Sequence, residues 1–128
     1  MSSFPDTIKY LLNLIMPGKD ITPESGHATA TIEGQPVATT TSWLRCEGNV
    51  YFPRDTLVGK EDGVVFDNTE LLTYCPWKGH AGYYTVKIGG TTYKNAAWSY
   101  EDPYDKALAI KDYVAFGYKS KVSIKVNE

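Results

Sequence analysis

The feature that most constrains the fold is a pair of adjacent glycines, Gly89 and Gly90, between two runs of strand-forming residues. "YYTVKI" precedes the pair and "TTYKNAAW" follows it. A two-residue glycine loop tolerates positive φ angles and is typical of a tight β-hairpin, because its twist matches that of the flanking strands. The sequence therefore predicts an antiparallel hairpin over residues 80–99, with its register set by the loop.

The predicted register also indicates which residues meet across the hairpin. It places Tyr84 opposite Asn95 on one face and Ala81 opposite Trp98 on the other. The second face is polar near the glycines and becomes aromatic at the far end. The two segments expected to lie side by side at that end are "CPWKGH" and "WSYEDP".

Alternating apolar and polar residues continue over most of the chain after residue 26. Further strands are expected at "HATATIE", "PVATTTSW", "WLRC", "NVYF", "VVFD", "ELLTY", "YVAFGYK" and "KVSIKV". The glycine-containing segments "EGQP" and "EGN" separate the first four strands and predict two more hairpins. The fold class is therefore mainly β, a compact single domain of short antiparallel strands with helices at its margins.

An N-terminal helix is predicted before this β region. Its apolar residues have the i, i+3, i+4, i+7 spacing of one helical face at Ile8, Leu11, Leu12 and Ile15. Residues 20–26 are interpreted as a loop that joins the helix to the sheet. Docking of the helix on the sheet is favoured over pairing with a second copy. Residues 1–26 are thus assigned to the helix and its linker, and residues 27–128 to the β domain.

A short second helix is predicted near residues 103–111. Asp102 suits the N-cap, because its side chain can accept a hydrogen bond from the first turn. Pro103 suits the first helical position, where a missing N–H costs nothing. Asp105 follows in the first turn, which also favours a helix start.

The net charge is -2, and the thirteen basic residues are scattered among fifteen acidic ones. Nucleic-acid binding needs clustered Lys and Arg, so no nucleic-acid partner is expected. No run approaches the ~20 apolar residues of a membrane span, and the start lacks the basic region of a signal peptide. We therefore expect a soluble cytoplasmic protein without a membrane partner. In a reducing compartment Cys46 and Cys75 should be free thiols.

Cys75 is a candidate catalytic nucleophile. Lys78 and His80 follow it closely and could lower its pKa, with His80 acting as the base. The favoured alternative is a buried structural cysteine. No CxxC or HxxxH spacing occurs, so no metal site is expected. Because there is also no P-loop and no GxGxxG, no cofactor is expected, and whether the chain is an enzyme stays open.

Aromatic residues and a few charged residues in turns also suit a ligand pocket, since such sites are mostly apolar with few convergent polar groups. Lys78 and Arg54 are costly to bury unless they are paired. Glu70 and Glu101 are the expected protein partners, and an anionic ligand group is the alternative. The candidate ligand-binding residues are Tyr51, Arg54, Glu70, Lys78, Tyr83, Trp98 and Tyr100.

Four segments together resemble the DUF427 family. They are "VYFPRD" (50–55), "TYCPWKGHAGYYTV" (73–86), "AAWSYEDP" (96–103) and "YVAFGYKSKV" (113–122). The resemblance implies a β-tent-like fold related to methionine sulfoxide reductase B-like folds, whose CxxC zinc site this chain lacks. The family also carries a nucleotidyltransferase-like label. The motif positions carried over are Tyr51, Pro53, Arg54, Thr73, Cys75, Pro76, Lys78, Gly79, Tyr83, Trp98, Tyr100, Pro103 and Phe116.

Three functional hypotheses follow from these observations. The first is a domain that binds a small polar or anionic ligand in an aromatic-lined pocket. The second is an enzyme with Cys75 as nucleophile and His80 as base. The third is a scaffold or interaction module that dimerises through the predicted helix at residues 5–16, so both a monomer and a homodimer stay open.

Overall fold

The computed structural model describes residues 18–117 and 121–127 of the 128-residue chain. The helix predicted at residues 5–16 lies outside the described residues. Within the part of the chain that is described, strands dominate, and the prediction of a mainly β domain is confirmed. None of the helices described there has the length and hydrophobicity that crossing a membrane requires.

The described strands form two four-stranded antiparallel sheets. The first sheet has the order β3-β2-β1-β8 and the second has the order β4-β5-β6-β7. The strands are β1 (Ile21–Ile32), β2 (Gln35–Cys46), β3 (Asn49–Tyr51), β4 (Val64–Cys75), β5 (Gly79–Ile88), β6 (Thr91–Ser99), β7 (Val114–Phe116) and β8 (Val122–Val126). The backbones of Phe52 and Val114 exchange two hydrogen bonds, of 2.8 and 2.9 Å, and so join the ends of β3 and β7.

The interpretation of residues 20–26 as a loop is wrong. β1 already begins at Ile21, which faces Cys46 at the end of β2. The two strands stay paired from there to Ser25 and Ser42, and a register shift follows before Ala28. Pro23 and Gly26 hide this extension in the sequence, since both residues are usually depleted in strands.

The glycine hairpin is confirmed. Near the turn β5 and β6 pair as predicted, but past a register shift Tyr84 faces Ala97 and Tyr83 faces Trp98. The partner of Tyr84 on β6 is therefore Ala97, two residues beyond the predicted partner Asn95. Asn95 has a φ of 56° at this irregularity. Because the shift is an even number of residues, the side chains beyond it keep their predicted faces.

The short helix predicted near residues 103–111 is a six-residue 3₁₀ helix at Asp105–Ile110. Its N-cap is Tyr104, with no side-chain capping bond, so Asp102 does not have the predicted role. The helix begins later than predicted, and the Tyr104 amide, two residues after Asp102, donates to the carbonyl oxygen of Lys78 at 3.0 Å. Two shorter 3₁₀ turns, Arg54–Thr56 and Lys60–Asp62, lie between β3 and β4.

Apolar side chains form two separate clusters. The main core lies between the sheets and includes Ile32, Val37, Trp43, Phe52, Val86 and Val114. The second cluster lies at the end of the molecule away from the Gly89-Gly90 turn. It consists of Cys46, Tyr51, Trp77, Ala81, Tyr100, Ala107, Ile110 and Ala115, with Cys75, Tyr83 and Trp98 packed against it.

Candidate functional site

A hollow of about 300 Å³ opens beside β4 and β5 of the second sheet. This volume is at the lower end of the ~300–1,000 Å³ that small-molecule sites enclose. The hollow is lined by Asn68, Thr69, Leu72, His80, Gly82, Tyr83, Tyr84, Glu101, Asp102 and Tyr104. These residues come from β4, from β5 and from the segment that follows β6. The site is therefore formed by two paired strands and by the segment after β6 that packs beside them.

Irregular pairing on both sides of β5 shapes the hollow. β4 leaves its regular register between Asn68 and Leu72, and β6 does so near Asn95. The hydroxyl of Thr69 connects the two irregularities, because it donates to Asn95 Oδ1 at 2.8 Å and lies 3.3 Å from the carbonyl oxygen of Tyr83. Irregularities of this kind are common next to functional sites, where they redirect side chains.

Two side chains, Tyr84 and Arg54, contact the Glu101 carboxylate at the hollow. The hydroxyl of Tyr84 donates to Glu101 Oε2, and Arg54 Nη2 lies 3.6 Å from the same oxygen. The Arg54 guanidinium also lies 5.4 Å from the centre of the Tyr84 ring. Burial and the hydrogen bond to Glu101 raise the pKa of Tyr84, so its hydroxyl keeps its proton near neutral pH.

Arg54 is itself anchored behind the hollow. Its Nε donates to the Asp112 carbonyl oxygen and its Nη2 to Ser99 Oγ, both at 3.1 Å. The 3₁₀ turn that begins at Arg54 directs the side chain toward the end of β6. This predicted ligand-binding residue therefore supports Glu101 and does not line the hollow.

The two candidate catalytic residues are not brought together. Cys75 faces Gly79 across β4 and β5, whereas His80 faces Tyr74 in the next pair. Successive side chains of a strand point to opposite faces, so Cys75 and His80 project away from each other. His80 lines the hollow, with its ring centre 5.0 Å from that of Tyr74. Cys75 packs against the second cluster as a free thiol, as does Cys46 within it.

Lys78 is only 6% exposed. Its ammonium donates to the Glu47 carboxylate and lies 5.1 Å from the centre of the Tyr100 ring. Burial alone would lower the pKa of Lys78, but the hydrogen bond to Glu47 raises it well above its usual range. The buried lysine thus stays charged. Its partner is Glu47 and not Glu70 or Glu101, whereas Arg54 does pair with Glu101, one of the two partners that the sequence suggested.

Four further predicted site residues lie apart from the hollow. Tyr51 is fully buried in the second cluster, and it accepts a 3.2 Å hydrogen bond from Nε1 of Trp98, which packs against that cluster. Tyr100 belongs to the same cluster, and burial raises its pKa to about 12. Glu70 is exposed on β4 and does not line the hollow. Of the predicted ligand-binding residues, Tyr83 alone lines it.

The described residues contain no group of three or more His, Cys, Asp or Glu side chains close enough to hold a metal ion. The chain matches the family described as a domain of unknown function, DUF427, over residues 20–128. The chain belongs to the DUF427 family. The resemblance found in the four sequence motifs is confirmed, and the match begins before the first of them. No curated protein matches the chain.

Most of the DUF427 motif positions of this chain lie in or beside the second cluster. Lys78, Tyr51, Trp98 and Tyr100 make their contacts there, and Gly79 has a φ of 103° close to the backbone of residues 102–104. These contacts explain the motif as a packing arrangement. Since the family description gives no activity, a function for this DUF427 domain has to be argued from the hollow.

Proposed function

We propose that this DUF427 domain binds a small polar ligand in the hollow beside Tyr84 and Glu101. The observation that carries the proposal is the convergence of polar side chains from three chain segments on one concave surface. Small-molecule sites orient their ligands through a small number of placed polar groups of this kind. Arg54 supports the proposal as well, because it fixes Glu101 from behind.

The structure favours a ligand without negative charge. Both cations that were expected to neutralise an anion have protein partners, Glu47 for Lys78 and Glu101 for Arg54. The hollow is lined by two carboxylates, Glu101 and Asp102, which would repel an anion. The proposed ligand is therefore polar but not anionic.

A variant that fills the hollow tests the proposal. A Cβ added at Gly82 would lie 3.9 Å from Leu72 Cδ2, an ordinary contact, and the φ of Gly82 is not positive. Gly82→Val should therefore fold and place its methyl groups in the hollow. Gly90→Val is the matched control, because a Cβ there has no atom within 4 Å.

The measurement is a titration of the ¹⁵N-labelled full chain, followed by ¹H–¹⁵N correlation spectra, with neutral sugars and polyols, alkylamines, and small carboxylates. We expect one of the uncharged or cationic classes to bind the natural chain and the Gly90→Val variant equally. Gly82→Val should weaken that binding more than about tenfold, since the ligand's space is lost. Equal binding by all three proteins, or no binding by any, would refute the proposal.

A further inference from the structure

The side chains around the hollow offer both hydrogen-bond donors and acceptors. The carboxylates of Glu101 and Asp102 only accept. The amide of Asn68 can donate and accept, and Asn68 is exposed without a side-chain partner among the described residues. The hydroxyls of Tyr84 and Tyr104 donate to Glu101 and to Tyr74 respectively, and a hydroxyl oxygen is also able to accept. A complementary ligand therefore has to carry both kinds of group.

The carboxylates of the hollow disfavour an anion, and the guanidinium of Arg54 reduces the attraction that Glu101 would have for a cation. Arg54 Nη2 lies 3.6 Å from Glu101 Oε2 and balances part of the charge of this carboxylate. An ammonium group placed at Glu101 would gain little attraction from this pair and would be repelled by the guanidinium. A hydroxyl group meets no such repulsion, because it carries no net charge and can donate to one neighbour while accepting from another.

Two exposed side chains of β4, Leu72 and Tyr74, offer apolar surface at or near the hollow. Leu72 is 63% exposed and Tyr74 is 41% exposed. Leu72 lines the hollow, and the ring of Tyr74 lies 5.0 Å from that of His80 and 6.3 Å from that of Tyr104. A ligand with polar edges and an apolar C–H face would contact both kinds of surface, since exposed aromatic rings offer an apolar face beside a polar group.

We infer that the ligand of the hollow is a neutral polyhydroxyl compound, a monosaccharide or a polyol of similar size. This inference rests on the proposed function and names its ligand class. The hydroxyls of the ligand donate to Glu101 and Asp102 and accept from the Asn68 amide, while its C–H face packs against Leu72. The volume of about 300 Å³ accommodates one such ring.

The test uses three groups of probes on the ¹⁵N-labelled full chain. The neutral group is D-glucose, D-galactose, D-mannose and myo-inositol, the cationic group is methylammonium and guanidinium, and the anionic group is acetate and phosphate. We expect a member of the neutral group to shift the amide signals of Gly82, Tyr84 and Glu101 at millimolar concentration, and the charged groups to leave them unchanged. Methyl glycosides, whose anomeric oxygen is blocked, distinguish a free sugar from the end of a longer glycan.

Variants of Asn68 separate the ligand classes without disturbing the fold. Asn68→Ala should weaken binding of the neutral compound about three- to tenfold, because one or two hydrogen bonds are lost. Thr92→Ala, an exposed change at the far turn, should leave it unchanged. Asn68→Asp removes the two amide donors and adds a negative charge. It should therefore also weaken the binding of a neutral ligand but strengthen the binding of a cationic one.

The outcomes distinguish this inference from the proposed function. One contrary outcome is that methylammonium or guanidinium binds instead, with Asn68→Asp strengthening that binding and Gly82→Val abolishing it. This result would overturn the polyhydroxyl assignment and keep the hollow as the site. Binding of acetate or phosphate that Gly82→Val abolishes would overturn the assignment together with the exclusion of anions. No amide shift with any probe would overturn the site itself.

Discussion

The two hairpin turns of the first sheet have the same two residues but hold different partners. The turns are Glu33-Gly34 and Glu47-Gly48. In both turns the glutamate has a positive φ, 47° at Glu33 and 52° at Glu47, a region that side chains other than glycine rarely adopt. In both turns the carboxylate reaches across to the second sheet. Glu33 accepts from the Tyr93 hydroxyl, and Glu47 accepts from the Lys78 ammonium.

The difference between the turns is the burial of the partner. Glu33 also pairs with Lys121 at 3.0 Å, and both side chains are about half exposed. At the other turn the Lys78 side chain is 8% exposed. Water competes for the first pair, whereas breaking the second would leave a charge inside the protein. The same turn sequence should therefore contribute little to the free energy of unfolding at one end of the sheet and much more at the other.

The burial of Lys78 also distinguishes the second cluster from the hollow that we propose as the ligand site. The turn at Glu47 closes the second cluster around Lys78, so the lysine that most resembled a ligand contact in the sequence is already paired. The polar groups that stay accessible line the hollow on β4 and β5 instead. The contacts of the second cluster are therefore explained by stability, and the proposed ligand site is the hollow.

The largest effect is expected from Glu47→Ala. Removing the carboxylate leaves the Lys78 charge buried without a partner, which should lower the free energy of unfolding by about 3 kcal/mol. Glu33→Ala is the matched control and should cost clearly less, because its partners are accessible to water. Urea unfolding followed by tryptophan fluorescence measures both values. Equal losses would contradict the proposed difference between the turns.

A double variant sharpens the comparison. Lys78→Met in the Glu47→Ala background removes the unpaired charge and keeps most of the buried side-chain volume. We expect it to recover about 1–2 kcal/mol of the lost unfolding free energy in the same urea experiment. A double variant less stable than Glu47→Ala alone would show that the ammonium has another essential partner.

Alkaline pH should destabilise the second cluster. Burial raises the pKa of Tyr100 from 10.0 to about 12, and the pKa of Lys78 is raised above its ordinary value of 10.5. Both groups bind their proton more tightly in the folded chain, so their stabilisation is complete below pH 10 and is lost as the pH rises above it. The urea midpoint should therefore fall between pH 10 and 12. Tyr100→Phe should make this fall less steep, and an unchanged slope would exclude Tyr100 as a cause.

The smallest effect concerns thiol labelling. Burial raises the pKa of Cys46, which is fully buried next to Glu47. Iodoacetamide should therefore alkylate the half-buried Cys75 before Cys46 in the folded chain, as peptide mass spectrometry would show. Glu47→Ala should speed the labelling of Cys46, and Glu33→Ala should not. Faster labelling of Cys46 than of Cys75 in the natural chain would contradict the described packing.

Local signals predicted most of the fold. The Gly89-Gly90 turn and the two Glu-Gly turns lie where glycine makes positive φ angles inexpensive, so their hairpins could be located from the sequence. The β4 segments predicted as "VVFD" and "ELLTY" are one strand with an irregular middle, Val64–Cys75. No local residue pattern marks that irregularity or the positive φ of Asn95, and these two features set the register around β5.

The site was less predictable because its contacts are not local. Glu47 and Lys78 are separated by 31 positions, and both ends of the bond lie in turns. Glu70 and Glu101 were expected as the partners of Lys78 and Arg54, and Glu101 does lie 3.6 Å from Arg54. Arg54 was expected to bind a ligand, but Ser99 and the Asp112 backbone, more than forty positions away, bind it instead. No sequence pattern pointed to Asn68 or Gly82, because only the folded chain places them at the same hollow.

The most direct test of the account is a map of amide shifts with the neutral compound that binds most tightly. We expect the shifts to centre on Gly82, Tyr84 and Glu101, at the hollow, and the amide signals of Glu47 and Lys78 to stay unchanged. Shifts centred on Lys78 and its turn would contradict it, because the second cluster would then be the binding site.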